Sequence, residues 1–338
     1  MSAECRVDAS SLLQVFGDVN NLMQKGSNAI PLLFELSGSL LTISCSTGCL
    51  YRCETTVSNQ SGLQGTASVL YEKITDFLDS GEPVTLVFEQ FGLELTSASV
   101  RLTLPLAYST VSDTRVPEGV RFTPIENTLC LQNLVELMNL GLDRLYTVDH
   151  PIEINENYSY LRFPNVQVKT RTDGLHFRAA VATEHVKLMV KFDPKEIYCN
   201  NTDVLILKRA GATVQLPVKP ISMETSFEKL LTLVANPINL QLQEYNQRLR
   251  AMTHLGKKLR CKVICMDAGI CTETTTENIT ISVGAGAYGE IRKVFQVPLD
   301  LWVSLTKPFS KLRMELLYGE EIICLRNMSL IVLLRAVV

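Results

Sequence analysis

The sequence contains few histidines, little net charge and no long apolar run. Its four histidines, His150, His176, His185 and His254, are far apart, and none lies in a recognisable nucleophile or metal motif. The 32 Lys and Arg residues nearly balance the 35 Asp and Glu residues. The total charge therefore gives no reason to expect binding to nucleic acid or to an anionic membrane. An enzyme is not indicated, and any binding to a polyanion must depend on a local patch of charge.

Signals for export and for membrane insertion are also lacking. The N-terminus, MSAECRVDASSLLQVF, has no basic region followed by a long apolar run, and no segment offers 18 uncharged apolar residues in a row. We therefore expect a cytoplasmic protein, in which the ten cysteines are reduced core residues. Two groups of three are spaced like metal ligands, but no histidine lies within reach in sequence, so no metal or cofactor is expected: Cys45, Cys49 and Cys53, and Cys261, Cys265 and Cys271.

One string matches the dinucleotide-binding pattern G-x-G-x-x-G. It is GAGAYG, Gly284 to Gly289, and it follows the strand pattern NITISV. The next residues, EIRKVFQVP, have a second strand pattern and no helix, so no helix N-terminus is available for a pyrophosphate. Dinucleotide binding is therefore not favoured.

The chain contains a repeated arrangement of a short helix followed by strands. In VTLVFEQFGLELTSASVRLTLPL, Val84 to Leu106, apolar and polar residues alternate, which predicts a hairpin, and Leu70, Ile74 and Phe77 before it lie at helical spacing. The same order is predicted twice more, with short helices opened by Asp193 and Pro194 and by Pro298. The first strands of these units begin at Val84, Val204 and Leu312, which indicates three copies.

Each copy also has a front half with a helix and two strands. The predicted helices are SSLLQVFGDVNNLMQ, LCLQNLVELMNLGL and LQLQEYNQRLRAMT. Two such halves per domain predict an α+β fold with helices on one side of antiparallel sheets. We place the three domains at residues 1–115, 125–220 and 225–338.

This organisation resembles the bacterial-type DNA sliding clamp, the β subunit of the replicative polymerase. The segments that carry the resemblance are SLLQVFG, AIPLLFELSGSLLTISCST, TASVLYEKITDFL and LELTSASVRLTLPL in the first domain, VATEHVKLMV in the second and SLIVLLRAVV at the end of the third. The match covers nearly the whole chain but contains few identities. It suggests a divergent member, of a kind that a phage or mobile element encodes.

The resemblance implies a crescent that closes into a ring as a head-to-tail dimer, with helices around a hole that holds duplex DNA. Such a protein catalyses nothing and tethers its partners, the polymerase and the clamp loader, to DNA. An alternative keeps the fold without the DNA, as an assembly platform or decoy for replication or transcription proteins.

Candidate DNA contacts are basic residues on or beside the predicted helices. A run without acids contains Arg248, Arg250, Lys257, Lys258 and Arg260, although a solvated helix end gives the same pattern. Lys25, Lys73 and Lys195 are weaker candidates with acids near them in several cases, and Tyr160 matches the family's aromatic DNA contact. The family's basic residue before the first strand pair is absent, because Ser27 and Asn28 stand there.

The resemblance also implies a hydrophobic pocket that takes short linear peptides. Carried over by position, one wall would contain Thr183, His185, Lys187 and Leu188, and the other would contain Val332, Leu333, Leu334, Arg335 and Val337. The family's glycine and proline are missing from these two segments, so the peptide specificity is expected to differ. For each residue taken singly, packing in the core is an equally good interpretation.

Overall fold

A computed structural model of the chain shows an α+β fold in which all paired strands are antiparallel. It describes all residues except 1, 24–28, 79–80, 108–120, 126–128, 143–144, 147–149, 201–202, 222–225, 257–258, 312 and 338. The α-helices of the described part are α1 (Ala9–Leu22), α2 (Leu129–Asn139), α3 (Thr183–Phe192), α4 (Ser226–Leu231), α5 (Gln243–Met252) and α6 (Leu299–Thr306). The predicted α+β class with antiparallel sheets is confirmed.

The strands are short except for two near the C-terminus. The N-terminal ones are β1 (Ala3–Asp8), β2 (Ala29–Ser37), β3 (Leu40–Ser46), β4 (Leu50–Thr56), β5 (Ser58–Asn59), β6 (Gly65–Glu72), β7 (Pro83–Glu89), β8 (Gly92–Thr96), β9 (Arg101–Pro105) and β10 (Arg121–Pro124). The middle ones are β11 (Ile152–Asn155), β12 (Tyr158–Arg162), β13 (Val166–Arg171), β14 (Arg178–Val181), β15 (Glu196–Cys199), β16 (Val204–Arg209) and β17 (Ala212–Pro217). The last are β18 (Ala235–Gln241), β19 (Arg260–Thr275), β20 (Thr280–Pro298), β21 (Arg313–Tyr318), β22 (Ile322–Arg326) and β23 (Leu330–Arg335).

The chain divides into two compact units, and unit 1 contains residues 1–126 and 188–219. It has a five-stranded sheet, β5-β1-β7-β8-β9, and an eight-stranded sheet, β10-β15-β16-β17-β4-β3-β2-β6. Helix α1 begins at Ala9, and the carboxylate of the preceding Asp8 accepts a hydrogen bond from the Ser11 amide, as expected for an N-cap. Its buried residues include Leu12, Val15 and Phe16 at helical spacing, so the helix buries one apolar face.

Unit 2 contains residues 127–187 and 220–338. Its large sheet has the order β14-β11-β12-β13-β23-β22-β21-β18, and β19 pairs with β20 in a separate ribbon. Helices α5 and α6 are joined by a buried hydrogen bond from Trp302 Nε1 to Tyr245 Oη at 2.7 Å. Tyr245 also shares a hydrogen bond with Thr272 of β19, which fixes both helices against the ribbon.

The β19–β20 ribbon is sharply bent. Its register shifts between Cys265 and Met266 and again before Ala268, as at β-bulges. Opposite this point Gly286 has φ +81°, and a Cβ there would lie 2.4 Å from the Ala268 carbonyl oxygen. Only glycine fits such a position. As a result the two ends of β19 lie side by side, and the Thr274 hydroxyl donates to the Arg260 carbonyl at 2.8 Å.

The ten cysteines are all buried and free, so their prediction as core residues is confirmed. Burial raises the pKa of the Cys45, Cys261 and Cys265 thiols to about 12, which keeps them protonated at neutral pH. The GAGAYG string lies inside β20, and the next residues, EIRKVFQVP, continue that strand, as their pattern predicted. None of the described helices is long and apolar enough to cross a membrane.

Several predicted elements are corrected by the structure. The helix expected over Leu70 to Phe77 is wrong, because β6 continues to Glu72 and only a 3-10 turn, Thr75–Phe77, follows. The helix expected at Asp193 and Pro194 is also wrong, since α3 ends at Phe192 and Asp193 has φ +48°. The helix after Pro298 is confirmed as α6. The division into three domains at residues 1–115, 125–220 and 225–338 stays a prediction.

Candidate functional site

Unit 2 contains a cleft beside the central strands of its large sheet. Its walls come from the turn before β13, from β13 itself, from the adjacent β22 and β23, and from α4. The cleft holds about 230 Å³ of space and is lined by Pro164, Asn165, Gln167, Leu230, Ile322, Leu333 and Arg335. Its lining combines apolar side chains with amide groups and one guanidinium group. Such a site suits an apolar side chain of a ligand whose backbone or charged groups need polar partners.

Helix α4 forms one wall of the cleft and is held in place by an aromatic residue. Phe227 is fully buried and meets the Tyr160 ring edge to face, with centroids 5.8 Å apart. Around this pair lies a buried cluster with Leu317, Ile322, Cys324 and Leu333. Because Leu333 belongs both to this cluster and to the cleft, the packing of α4 fixes the shape of the cleft.

An ion pair adds a second attachment for α4. Lys169 Nζ of β13 lies 2.6 Å from Glu228 Oε1 of α4, and 4.0 Å above the centre of the Tyr158 ring. Burial lowers the pKa of Lys169, but the hydrogen bond to Glu228 and the attraction of Tyr160, Glu228 and Tyr158 together outweigh it and hold the pKa above its ordinary value. Lys169 therefore stays charged and ties α4 to the sheet at neutral pH.

Strand β23 divides the predicted second wall between two faces. Leu333 and Arg335 line the cleft, whereas Val332 and Leu334 are buried and pair in register with Val168 and Val166. Alternate residues of a strand point to opposite faces of the sheet. The side chains of Val332 and Leu334 therefore belong to the core on the other face. Val337 is 65% exposed and forms an isolated bridge with Gln296.

The residues of the predicted first wall lie at the start of α3. The Thr183 hydroxyl donates to the His150 carbonyl at 3.0 Å, and the His150 ring packs on Phe163 at 4.5 Å. His185 is half-buried, Lys187 is exposed and Leu188 is buried. None of the four predicted residues is among the described residues that line the cleft: Thr183, His185, Lys187 and Leu188.

Sequence reasoning missed α4, which supplies Leu230 and the anchor Phe227. A signal was present, because Phe227, Leu230, Leu231 and Val234 are spaced three, four and seven residues apart, as on one face of a helix. The helix is only six residues long, and no helix was predicted for this segment.

The predicted DNA contacts have mixed positions. Arg248 and Arg250 are exposed on α5, and Arg248 lies 3.7 Å from Glu244. Arg260 is exposed at the start of β19. Lys73 is exposed and follows β6, and Lys195 is exposed and precedes β15, so neither lies on a helix. Lys195 forms an ion pair with Asp193 at 3.0 Å. Lys25, Lys257 and Lys258 lie outside the described residues.

Tyr160 is the predicted aromatic contact, and only 6% of it is exposed. Its ring is occupied by Phe227 on one side and by Arg162, 5.0 Å from the ring centre. Tyr158, two residues earlier, is 39% exposed. The aromatic surface that β12 offers to solvent is therefore that of Tyr158.

No known family model matches the sequence, and no curated protein matches it either. Solved structures do match. A Helicobacter pylori beta clamp in complex with 3,4-difluorobenzamide has 9% identity and a TM-score of 0.81, over 99% of this chain and 100% of that chain. A DNA polymerase sliding clamp from Caulobacter crescentus has 11% identity and a TM-score of 0.78, over 99% of both chains. A Helicobacter pylori beta clamp bound to a DNA ligase peptide has 10% identity and a TM-score of 0.77, over 99% of this chain and 100% of that chain. From end to end, the chain has the fold of the bacterial β sliding clamps.

Proposed function

We propose that this protein is a DNA sliding clamp, which encircles duplex DNA and tethers a polymerase without catalysing a reaction. The observation that carries the proposal is the extent of the fold match, 99% of this chain against 100% of a solved beta clamp. The similarity covers the whole of the neighbouring structure and is not limited to one shared domain. We place the protein in the cytoplasm, with the replication machinery.

Ring closure requires two surfaces on each chain that fit one another. In unit 1, β9 is the outer strand of the five-stranded sheet. In unit 2, the two strands of the ribbon pair only with each other, apart from a bridge between Gln296 and Val337 in the described part. Open strand edges favour pairing with another chain. A head-to-tail contact that closes after two copies gives the dimeric ring.

DNA would be held by sparse, non-specific contacts to phosphate. The exposed guanidinium groups of Arg248 and Arg250 on α5 suit this role, because contacts to the backbone carry no sequence information. Glu244 partly offsets the charge of Arg248. Weak attraction is compatible with a ring, since a closed ring is retained by its topology.

Partners would bind through the cleft beside α4. Leu230, Ile322 and Leu333 can receive a leucine or phenylalanine side chain, and Asn165 and Arg335 can bind the peptide's polar groups. One solved neighbour holds a DNA ligase peptide. We propose that the polymerase and the clamp loader of this protein present short peptides of the same apolar type.

The test is retention on DNA of two shapes. The full chain would be loaded on nicked circular DNA and on the same DNA linearised, and retention would be measured at increasing salt. We expect retention on circles and loss from linear ends. The variant with Arg248→Glu and Arg250→Glu should load less well and remain folded, because exposed charge changes cost little stability. Arg313→Glu, also exposed in unit 2, is the matched control.

Equal loss from both DNAs, with a monomer at all concentrations, would contradict the clamp and favour the assembly platform. Two observations support that second candidate: the Arg248 charge is offset by Glu244, and the predicted aromatic contact Tyr160 is buried. A platform needs the peptide cleft and does not need a ring.

A further inference from the structure

The bend of the ribbon creates a second pocket in unit 2. It holds about 160 Å³, far more than the ~10–15 Å³ that a single water molecule needs. Its lining residues are Arg260, Cys261, Lys262, Glu273, Thr275 and Gln296, and none of them belongs to the cleft beside α4.

The pocket collects polar side chains from strand segments that are distant in sequence. Arg260 and Lys262 are exposed on either side of the buried Cys261, and Lys262 pairs in register with Gln296. These three therefore share one face of the ribbon. The hydrogen bond from Thr274 to the Arg260 carbonyl brings the other end of β19 alongside, and Glu273 and Thr275 lie on either side of Thr274.

The charges in the pocket do not cancel. Lys262 Nζ lies 3.8 Å from Glu273 Oε1, so these two groups largely offset one another. Arg260 forms no ion pair with any residue that the structure describes, and one positive charge is left over. The pocket therefore combines an unpaired guanidinium with the Gln296 amide and the Thr275 hydroxyl, which can accept the proton of the Thr280 hydroxyl at 3.1 Å and donate its own.

We propose that this pocket binds a phosphate group. A guanidinium binds phosphate through two parallel hydrogen bonds, and the hydroxyl and the amide supply further donors to the remaining oxygens. Arg260 and Lys262 are exposed to solvent, so the phosphate can belong to a larger molecule. Two sources share this chemistry: a phosphate of the DNA backbone and a small phosphorylated molecule.

The proposal is tested on the full chain labelled with ¹⁵N. The Nε resonance of Arg260 is assigned by its disappearance in Arg260→Gln. Sodium phosphate is then titrated at constant ionic strength, and a short DNA duplex is titrated separately. We expect the Arg260 Nε and Gln296 side-chain resonances to shift and saturate with phosphate. In Arg260→Gln the Gln296 response should weaken about tenfold in affinity, the size expected on losing a charged hydrogen-bond donor.

The exposed Arg313 again provides a control, and Arg313→Gln should leave the titration unchanged. Competition between phosphate and duplex at these resonances would identify the DNA backbone as the source, and a response to phosphate alone would identify a small phosphorylated ligand. An unchanged Gln296 response in Arg260→Gln, or no response to either phosphate or duplex, would overturn the proposal. Retention on circular DNA does not depend on this pocket, so the two proposals fail separately.

Discussion

A buried ion pair in unit 1 connects a helix to a strand that is distant in sequence. Asp18 of α1 accepts hydrogen bonds from Arg209 Nη2 at 2.6 and 2.7 Å, one to each carboxylate oxygen. Tyr51 donates to the same carboxylate, and Arg209 also donates to the Phe192 carbonyl. The ion pair thus joins α1, near the start of unit 1 in sequence, to β16, near its end.

We predict that Arg209→Met destabilises the protein by about 3 kcal/mol or more, because it leaves a buried carboxylate without its partner. Urea unfolding followed by circular dichroism measures this loss. Arg101→Met, which breaks the exposed pair with Glu94, should change the midpoint little. A similar effect of the two substitutions would contradict the role given to Asp18.

The same pair predicts a dependence on pH. Burial raises the pKa of Asp18 above its ordinary value of 3.8, and the attraction of Arg209 opposes this rise. The folded state then holds the proton more tightly than the unfolded state does. The contribution of Asp18 to stability is therefore full below 3.8 and falls as pH rises through the folded pKa. In Arg209→Met the opposing attraction is gone, so we expect a larger fall that extends to higher pH.

At the scale of elements, the sequence predicted helices α1, α2, α5 and α6 and missed α3 and α4. Helices α2 and α5 lie inside their predicted segments, and α1 begins one residue before its own. The apolar residues before Val84 fit helical spacing, yet Ala67, Val69 and Tyr71 are buried alternately in β6. Both periods were present there, and pairing with β2 decided the outcome. The cleft could not be predicted, because it depends on a pairing of β13 with β23 that local sequence does not encode.

The position of α4 gives a prediction for the cleft. Leu230→Asp should abolish binding of a fluorescent pentapeptide that contains leucine and phenylalanine, because a carboxylate would replace an apolar wall. Leu233→Asp changes a leucine that is already 61% exposed and should leave the affinity unchanged. Fluorescence anisotropy provides the measurement. Equal binding by wild type and Leu230→Asp would remove the cleft from the proposed function.

At the scale of the whole molecule, the open edge of β9 predicts how the ring can be broken. Thr103 is exposed on this strand, and a lysine on an edge strand opposes pairing with another chain. We expect Thr103→Lys to shift the protein from dimer to monomer in light scattering across a concentration series. Thr66→Lys places the same charge on β6, the edge strand of the eight-stranded sheet. This control variant should remain a dimer. Dimers of both variants would exclude β9 from the interface.

The pairing of β13 with β23 also affects the order in which the protein can form during synthesis. It is the only described junction between the two halves of the large sheet in unit 2, and residues 172–329 separate its strands. At a typical rate of translation, β23 is synthesised roughly 10–30 s after β13. Over that interval β13 pairs with β12 on one edge, and its other edge, which contains Val166 and Val168, has no partner strand. A nascent chain interrupted before Leu330 keeps this edge open, so chaperones have a defined segment to protect until translation is complete.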